Sequence, residues 1–123
     1  MGKGFRDLHV WNKSKDLAVH IYRITESGSF GRDFGLRDQI RRASVSIASN
    51  IAEGDERDTN KDSVRFLYMA KGSLAEVITQ TIIAYEVGYL KEADCKHIDQ
   101  ECEVIGRMLG SLIKARSTTN NHP

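Results

Sequence analysis

The sequence has almost no proline, since the single proline is Pro123, the last of 123 residues. Proline breaks or kinks a helix because its ring removes a backbone donor and clashes with the preceding turn. Long apolar runs are missing too, and no stretch reaches the roughly 20 residues that a membrane-spanning helix needs. The opening MGKGFRDLHV also lacks the apolar stretch of a signal peptide. The chain is therefore predicted to form long uninterrupted helices in the cytoplasm, with no membrane partner.

Cysteine is scarce, and only Cys95 and Cys102 are present. Seven residues apart on one helix, their Cα atoms would lie about 10 Å from each other at a rise of about 1.5 Å per residue. A disulfide needs a Cα separation below about 7 Å, so the two cannot pair. Both fall on an apolar stripe, and no histidine or second cysteine pair shows ligand spacing. The sequence therefore predicts buried free thiols, no metal site and no cofactor.

Net charge is nearly absent as well, because 18 basic residues oppose 17 acidic ones and leave +1. The chain as a whole then has no general attraction for nucleic acid or for an anionic membrane, and any such binding needs a local patch. The first 50 residues hold nine Lys or Arg against five Asp or Glu, a balance of +4. Residues 51–62 have the opposite balance of −3, from five acids against two bases.

Apolar residues recur at three- and four-residue steps in four segments, which is the pattern of amphipathic helices. The predicted helices cover about 8–25, 36–52, 61–87 and 92–116, and the polar tail 117–123 is predicted to be disordered. SGSFGRDFG, from Ser27 to Gly35, separates the first two helices. Thr59 is a predicted N-cap with Asn60 as its rival, and Gly88 is placed where a left-handed C-cap ends a helix. Short connections favour antiparallel neighbours, so the prediction is one all-α domain, an up-down-up-down antiparallel four-helix bundle.

QIRRASVSIASNIAEG, from Gln39 to Gly54, lies in the second predicted helix and presents two apolar faces. The main stripe is Leu36, Ile40, Ala43, Ile47 and Ile51. Small residues form a second face outside it, and the third helix is also apolar around most of its circumference, which is typical of a helix buried on more than one side. The predicted subunit interface is Val45, Ala48, Ala52, Phe66, Met69 and Ile83. The alternatives are a central third helix or scattered surface hydrophobic residues.

Four arginines of the first two helices are the predicted nucleic-acid-binding residues: Arg37, Arg41, Arg42 and Arg23. Several arginines acting together bind phosphates well, and symmetry in an oligomer would multiply a weakly basic half into a ring of charge. The alternative is that Arg37, Arg41 and Arg42 belong to ordinary solvated helix faces, with an ion pair between Asp38 and Arg42.

Catalytic patterns are missing from the sequence. No Glu-x-x-His pair is present on any predicted helix, so a carboxylate-bridged metal site is unsupported. KGSLAE lies inside a helix, where Gly72 is interpreted as a point of close packing, and it does not follow a strand as a phosphate loop would. The function predicted is therefore a non-catalytic homo-oligomeric binding module, with structured RNA or DNA as a partner. The alternative is a protein–protein scaffold with no nucleic-acid role.

Three segments, FRDLHVWNKSKDLAVHIYRIT, FGLRDQIRRASVSIASNIAEG and RFLYMAKGSLAEVITQ, resemble the 23S rRNA intervening-sequence proteins, a family of bacterial four-helix-bundle proteins. The resemblance extends from Phe5 to about Leu112. It implies a ring of five bundles, a homopentamer, and no established enzymatic activity. Because some members are encoded inside segments that interrupt 23S ribosomal RNA genes, it also implies RNA as a partner to consider.

Overall fold

The computed structural model of the chain describes residues 4–120, and the side chains of 4–117. A 3₁₀ turn at Gly4–Asp7 precedes five helices: α1 (His9–Ile24), α2 (Gly28–Arg32), α3 (Phe34–Asp55), α4 (Asn60–Glu86) and α5 (Glu92–Asn120). The predicted all-α class is confirmed, and residues 4–120 contain no strand. None of the described helices is long and apolar enough to cross a membrane.

The four long helices pack as a bundle, with α3 against α1 and α4, and α5 against α4 and α1. The core takes buried apolar side chains from all four: Val10, Leu17 and Ile21 of α1, Ile40, Ile47 and Ile51 of α3, Leu67, Leu74 and Val77 of α4, and Ile98, Ile105 and Leu109 of α5. Burying such a side chain contributes about 1.5–3 kcal/mol, so these stripes dominate the stability of the fold. Cys102 is buried among them as predicted, whereas the prediction of a buried Cys95 is wrong, because Cys95 is half-buried; both thiols are free.

The glycine-rich segment between α1 and α3 forms a short helix of its own, α2, where the sequence predicted only a break. Its Phe30 is 2% exposed and its ring lies 5.6 Å from that of Tyr89. At Gly31 a Cβ atom would lie 3.1 Å from the backbone oxygens of Thr25 and Glu26, so a glycine lets α2 fold back against the end of α1. Phe30 is buried because it packs against distant residues such as Tyr89, and the glycines of the segment do not predict that contact.

The predicted caps are found at both ends of α4. The Thr59 hydroxyl accepts a hydrogen bond from the Asp62 backbone N–H at 3.1 Å, so Thr59 is the N-cap. Gly88 has φ +90°, and Tyr89 N–H donates to the Ala84 carbonyl at 2.8 Å, which is a left-handed C-cap.

The last helix, α5, is longer than predicted. It continues to Asn120, four residues past the predicted end at 116, because no glycine or proline interrupts RSTTN. Residues 121–123 of the predicted disordered tail lie outside the described part of the chain.

Side-chain bonds join neighbouring helices along their polar edges. Ser73 donates to Ser46 Oγ at 2.9 Å across the α3–α4 seam. Lys13 Nζ lies 3.1 Å from Glu101 Oε1 across the α1–α5 seam, in a pair that is partly exposed. Partly exposed ion pairs of this kind contribute about 0–1 kcal/mol to the free energy of unfolding, so they add little to the helix packing that the core determines.

Candidate functional site

An open groove of about 860 Å³ runs between α1 and α3 on the outside of the bundle. We call it the α1/α3 groove. Its apolar lining comprises Phe5, Trp11, Ala18, Val19, Tyr22, Val45, Ala48 and Ala52, and its polar lining comprises Lys15, Arg23, Glu26, Arg37, Arg41 and Ser49. The volume lies within the range of roughly 300–1,000 Å³ that ligand and partner clefts occupy.

Helical spacing on both helices builds the groove. On α1 the lining residues from Trp11 to Arg23 recur mostly at three- and four-residue steps, and on α3 those from Arg37 to Ala52 do the same. Residues at these steps share one face of a helix. Between these two faces the groove has a floor of small side chains, such as the buried Ala18 and the half-buried Ala48, with larger aromatic and basic side chains beside it.

Arg41 ties the end of α1 to α3. Its Nε donates to Thr25 Oγ1 at 2.8 Å, and its Nη2 donates to the carbonyl oxygens of Tyr22 and Thr25, both at 3.2 Å. The guanidinium also lies 4.5 Å from the centre of the Tyr22 ring. Terminal carbonyls of a helix lack intrahelical partners and carry partial negative charge, so a cation placed there caps the helix.

Arg37 has a similar role at α2. Its Nη1 donates to the Gly31 carbonyl at 3.2 Å and its Nε to Asp38 Oδ1 at 3.0 Å. The guanidinium lies 4.6 Å from the ring centre of Phe34. Both Arg37 and Arg41 are half-buried, and their guanidinium groups already donate hydrogen bonds within the protein. They therefore have fewer free donors for a phosphate than the sequence pattern indicates.

Arg23 and Arg42 are exposed, and the described residues give neither guanidinium a hydrogen bond or an ion pair. Arg23 lines the α1/α3 groove beside Lys15. Arg42 does not line it, because it projects from another side of α3. The structure thus brings three of the four predicted arginines to one groove and leaves Arg42 apart.

The predicted interface residues divide between two surfaces. Val45, Ala48 and Ala52 lie in the α1/α3 groove, whereas Phe66, Met69 and Ile83 lie on α4. Phe66 is half-buried between the guanidinium groups of Arg57 and Arg65, 4.4 and 4.5 Å from its ring centre.

We call the second surface the α4 outer face and define it by its exposed large apolar side chains. On one side of the helix these are Tyr68, Met69, Ile82, Ile83 and the C-cap residue Val87, each between 45% and 57% exposed. Tyr85 is 40% exposed and lies on another side of the helix. Apolar residues exposed together on one helix mark interaction sites more often than isolated ones do.

The α1 wall of the groove was not predicted as a site. Among the predicted site residues only Arg23 belongs to it, whereas its aromatic side chains are Tyr22, which is 45% exposed, and Trp11, which is half-buried. Val19 and Lys15 complete this wall. The sequence contained one indication of this wall: α1, like α3, has apolar residues outside the stripe that faces the core.

A histidine pair lies where α1 meets α5, away from the groove. The rings of His20 and His97 are 5.1 Å apart and nearly perpendicular. Burial, and next the neighbouring His97, hold the pKa of His20 below its usual value. No group of three or more potential metal-binding side chains is found within the described residues.

Burial raises the pKa of the Cys102 thiol to about 12, and it also raises that of Cys95. The thiolate is the reactive form of cysteine, so folded thiols with these raised pKa values are poor nucleophiles at neutral pH.

Comparison with known proteins gives a family and a fold. The family model of the 23S rRNA-intervening sequence protein matches residues 6–111. Among solved structures, the chain is similar to a protein of unknown function from the S23 ribosomal protein family of Bacteroides thetaiotaomicron VPI-5482, with a TM-score of 0.80 and 24% identity. That match covers 85% of this chain and 95% of the other, and at this identity it shows the shared fold alone. No curated protein matches the chain.

Proposed function

The chain belongs to the 23S rRNA-intervening sequence protein family, and from that premise we propose that it is a non-catalytic homo-oligomeric binding module of the cytoplasm. The resemblance inferred from the sequence is confirmed by the family match. The descriptions of the family and of the structural relative name no enzymatic activity. Self-association, the ring and the ligand are our proposals.

The observation that carries the proposal is the exposure of two apolar surfaces, the α1/α3 groove and the α4 outer face. Val45 is 41% exposed and Ile83 is 45% exposed, although each belongs to a helix whose opposite face fills the core. Removing such area from water contributes about 25 cal/mol per Å², which favours a partner that covers both surfaces.

A closed ring of copies fits these two surfaces, and the family resemblance supports five. Within each copy we propose the up-down-up-down order. Two hydrogen bonds of the α3–α4 seam support it, since Gln80 near the end of α4 donates to Gln39 near the start of α3 at 3.5 Å, while Ser46 meets Ser73 further along. Residue numbers rise on one helix as they fall on the other, as antiparallel neighbours require.

Structured RNA is the ligand that the charge distribution favours. The first 50 residues have a balance of +4, and Arg23 and Arg42 are the exposed members of the predicted set. Phosphate binding draws on several cations at once, and a ring repeats each of them in every copy. Arg37 and Arg41 would act mainly by holding α1 and α2 in place, so they shape the surface more than they contact a phosphate.

A protein scaffold without a nucleic-acid role is the second candidate, and the lining of the α1/α3 groove favours it. Eight of its 14 lining residues are apolar, including Trp11 and Tyr22. Phosphate sites are polar, whereas aromatic side chains beside a basic rim are typical of protein interfaces.

The experiment that separates these functions has two stages. Light scattering first gives the mass of the purified protein, which we expect to be five times the 13.8 kDa of one chain. Binding to structured ribosomal RNA is then measured across a salt titration, for the wild type and for an Arg42→Glu variant, because Arg42 lies outside the α1/α3 groove. Arg107→Glu is the matched control, because Arg107 is exposed on α5, a different helix.

Each outcome decides between the candidates. RNA binding with a steep salt dependence, whose slope falls by about one in Arg42→Glu and not in the control, supports the RNA module. A weak, salt-insensitive signal in all three proteins supports the scaffold. A mass of one chain at micromolar concentration would overturn the oligomer itself.

A further inference from the structure

We propose that the α4 outer face of one copy docks into the α1/α3 groove of the next copy. The inference rests on the self-association proposed above and deepens it, because it names the two surfaces that meet. Every contact between copies would then be of one kind, groove against helix.

The floor of the groove admits a helix closely. Ala18, Ala48 and Ala52 have only a methyl group each, so a neighbouring backbone can approach further than it could over larger side chains. Along α3 the groove runs from Arg37 to Ala52, which is about 22 Å at about 1.5 Å per residue.

The second half of α4 has the length and shape to fill that space. From Gly72 to Val87 it also spans about 22 Å at the same rise. Its exposed side is small at the start, with Gly72 and Ala75, and large towards the end, with Ile82 and Ile83. The narrow start would pass over the groove floor, and the isoleucines would pack against its aromatic wall.

Charge on the two surfaces is complementary. Four bases and one acid line the groove, and the exposed bases among them are Lys15 and Arg23. Between residues 68 and 87 the charged residues are the acids Glu76 and Glu86 and the base Lys71, all exposed, which leaves one net negative charge on the outer face. Complementary charges at an interface set its orientation and disfavour wrong pairings, here groove against groove.

The two surfaces lie on different helices of the bundle, so they cannot cover each other within one copy. The groove belongs to α1 and α3, whereas the outer face belongs to α4, which packs against α3 and α5. When two unlike surfaces pair, each copy keeps one of each available, and the contact repeats until the rotation closes a ring.

Two variants that each block one surface test the pairing. Ala48→Trp fills the groove floor and leaves the α4 outer face intact, while Ile83→Glu places a charge on the outer face and leaves the groove intact. Each alone is expected to fall to the mass of one chain. Mixed in equal amounts, they are expected to form a complex of two chains and no larger, because one intact groove meets one intact outer face.

Controls separate misfolding from lost contact. Gln100→Trp and Gln100→Glu put the same side chains on an exposed position of α5, and both are expected to keep the wild-type mass. Circular dichroism and thermal melting of the single variants report whether the bundle has formed. If Ala48→Trp unfolds the protein, Val45→Glu in the same groove replaces it, because Val45 is 41% exposed.

The outcomes also distinguish this inference from the proposed function. A wild-type protein that is monomeric overturns both. An assembled wild type whose folded variants keep the full mass overturns the docking and leaves the oligomer standing. Folded variants that are monomeric alone and remain monomeric when mixed show that an intact groove and an intact outer face do not pair, and they overturn the docking as well.

Discussion

Replacing Arg41 with alanine removes three hydrogen bonds that join the end of α1 to α3. Two of them reach Thr25, which is fully buried, and the third reaches the Tyr22 carbonyl at a more exposed point. A hydrogen bond to a charged group is worth about 1.5–3 kcal/mol, and water replaces part of it at a half-exposed site. Thr25 also keeps its own bond to the Ile21 carbonyl at 2.7 Å. We therefore expect Arg41→Ala to lower the free energy of unfolding by about 2 kcal/mol.

Arg42 supplies the matched control, because it is the neighbouring arginine on the same helix and is exposed. Arg42→Ala is expected to change the unfolding free energy by less than about 0.5 kcal/mol, as surface substitutions usually do. Arg41→Lys keeps the charge without the planar fork of donors, so it is expected to recover less than half of the loss.

Thermal and urea melts followed by circular dichroism measure these differences, at one chain concentration because self-association also changes stability. A loss of about 2 kcal/mol corresponds to a lower melting temperature by about 8 °C in a domain of this size. Equal stabilities of Arg41→Ala and Arg42→Ala would refute the reasoning, since Arg41 would then be another solvated surface arginine.

Two further predictions concern the histidine pair and the α1–α2 turn. Because the pKa of His20 is lowered in the folded state by burial and then by His97, the unfolded chain binds the proton more readily. The contribution of His20 to the free energy of unfolding is therefore expected to be fully present above the ordinary histidine pKa of about 6.5 and to be lost as the pH falls below it. His20→Gln should make the urea midpoint depend less on pH between 7.5 and 5.5. A variant with the same pH profile as the wild type would contradict this role of His20. Gly31→Ala places a Cβ atom 3.1 Å from backbone oxygens and should lower stability by about 1–3 kcal/mol. Gly110→Ala on α5, with nothing within 4 Å, should be neutral or stabilising in the same melts, and equal effects of the two substitutions would contradict the crowding at Gly31.

Features that depend on local spacing could be predicted from the sequence. Ile40, Ile47 and Ile51 recur at helical steps and are fully buried. Thr59 and Gly88 stand at opposite ends of α4, and each acts within a few residues of its own position. For such features the interacting residues lie within a few positions of each other, so the sequence pattern alone predicts the contact.

Features that depend on distant partners could not be predicted in this way. Arg41 bonds to atoms 16 and 19 residues away, and Tyr89 donates to Asp33 across 56 residues. The hydrogen bond from the Leu36 backbone N–H, and next the one from Tyr89, hold the pKa of Asp33 below its ordinary value. Helical periodicity shows that Arg41 lies off the core stripe, but it does not show that the end of α1 lies beside it.

The different faces of α3 explain why its arginines and its small residues must be tested separately. Ile40 and Ile47 face the core, Arg37 and Arg41 hold α2 and α1, and Ala48 forms the groove floor. Arg41 also acts on the groove indirectly, because it stacks on Tyr22, which lines the opposite wall. In Arg41→Ala a loss of assembly would therefore be accompanied by the loss of the hydrogen bonds to Thr25 and Tyr22, whereas Ala48→Trp would lose assembly with those bonds intact. RNA binding that is lost through Arg42 would change neither the assembly nor the stability of the bundle, so variants of Arg41, Ala48 and Arg42 test three different properties of this helix.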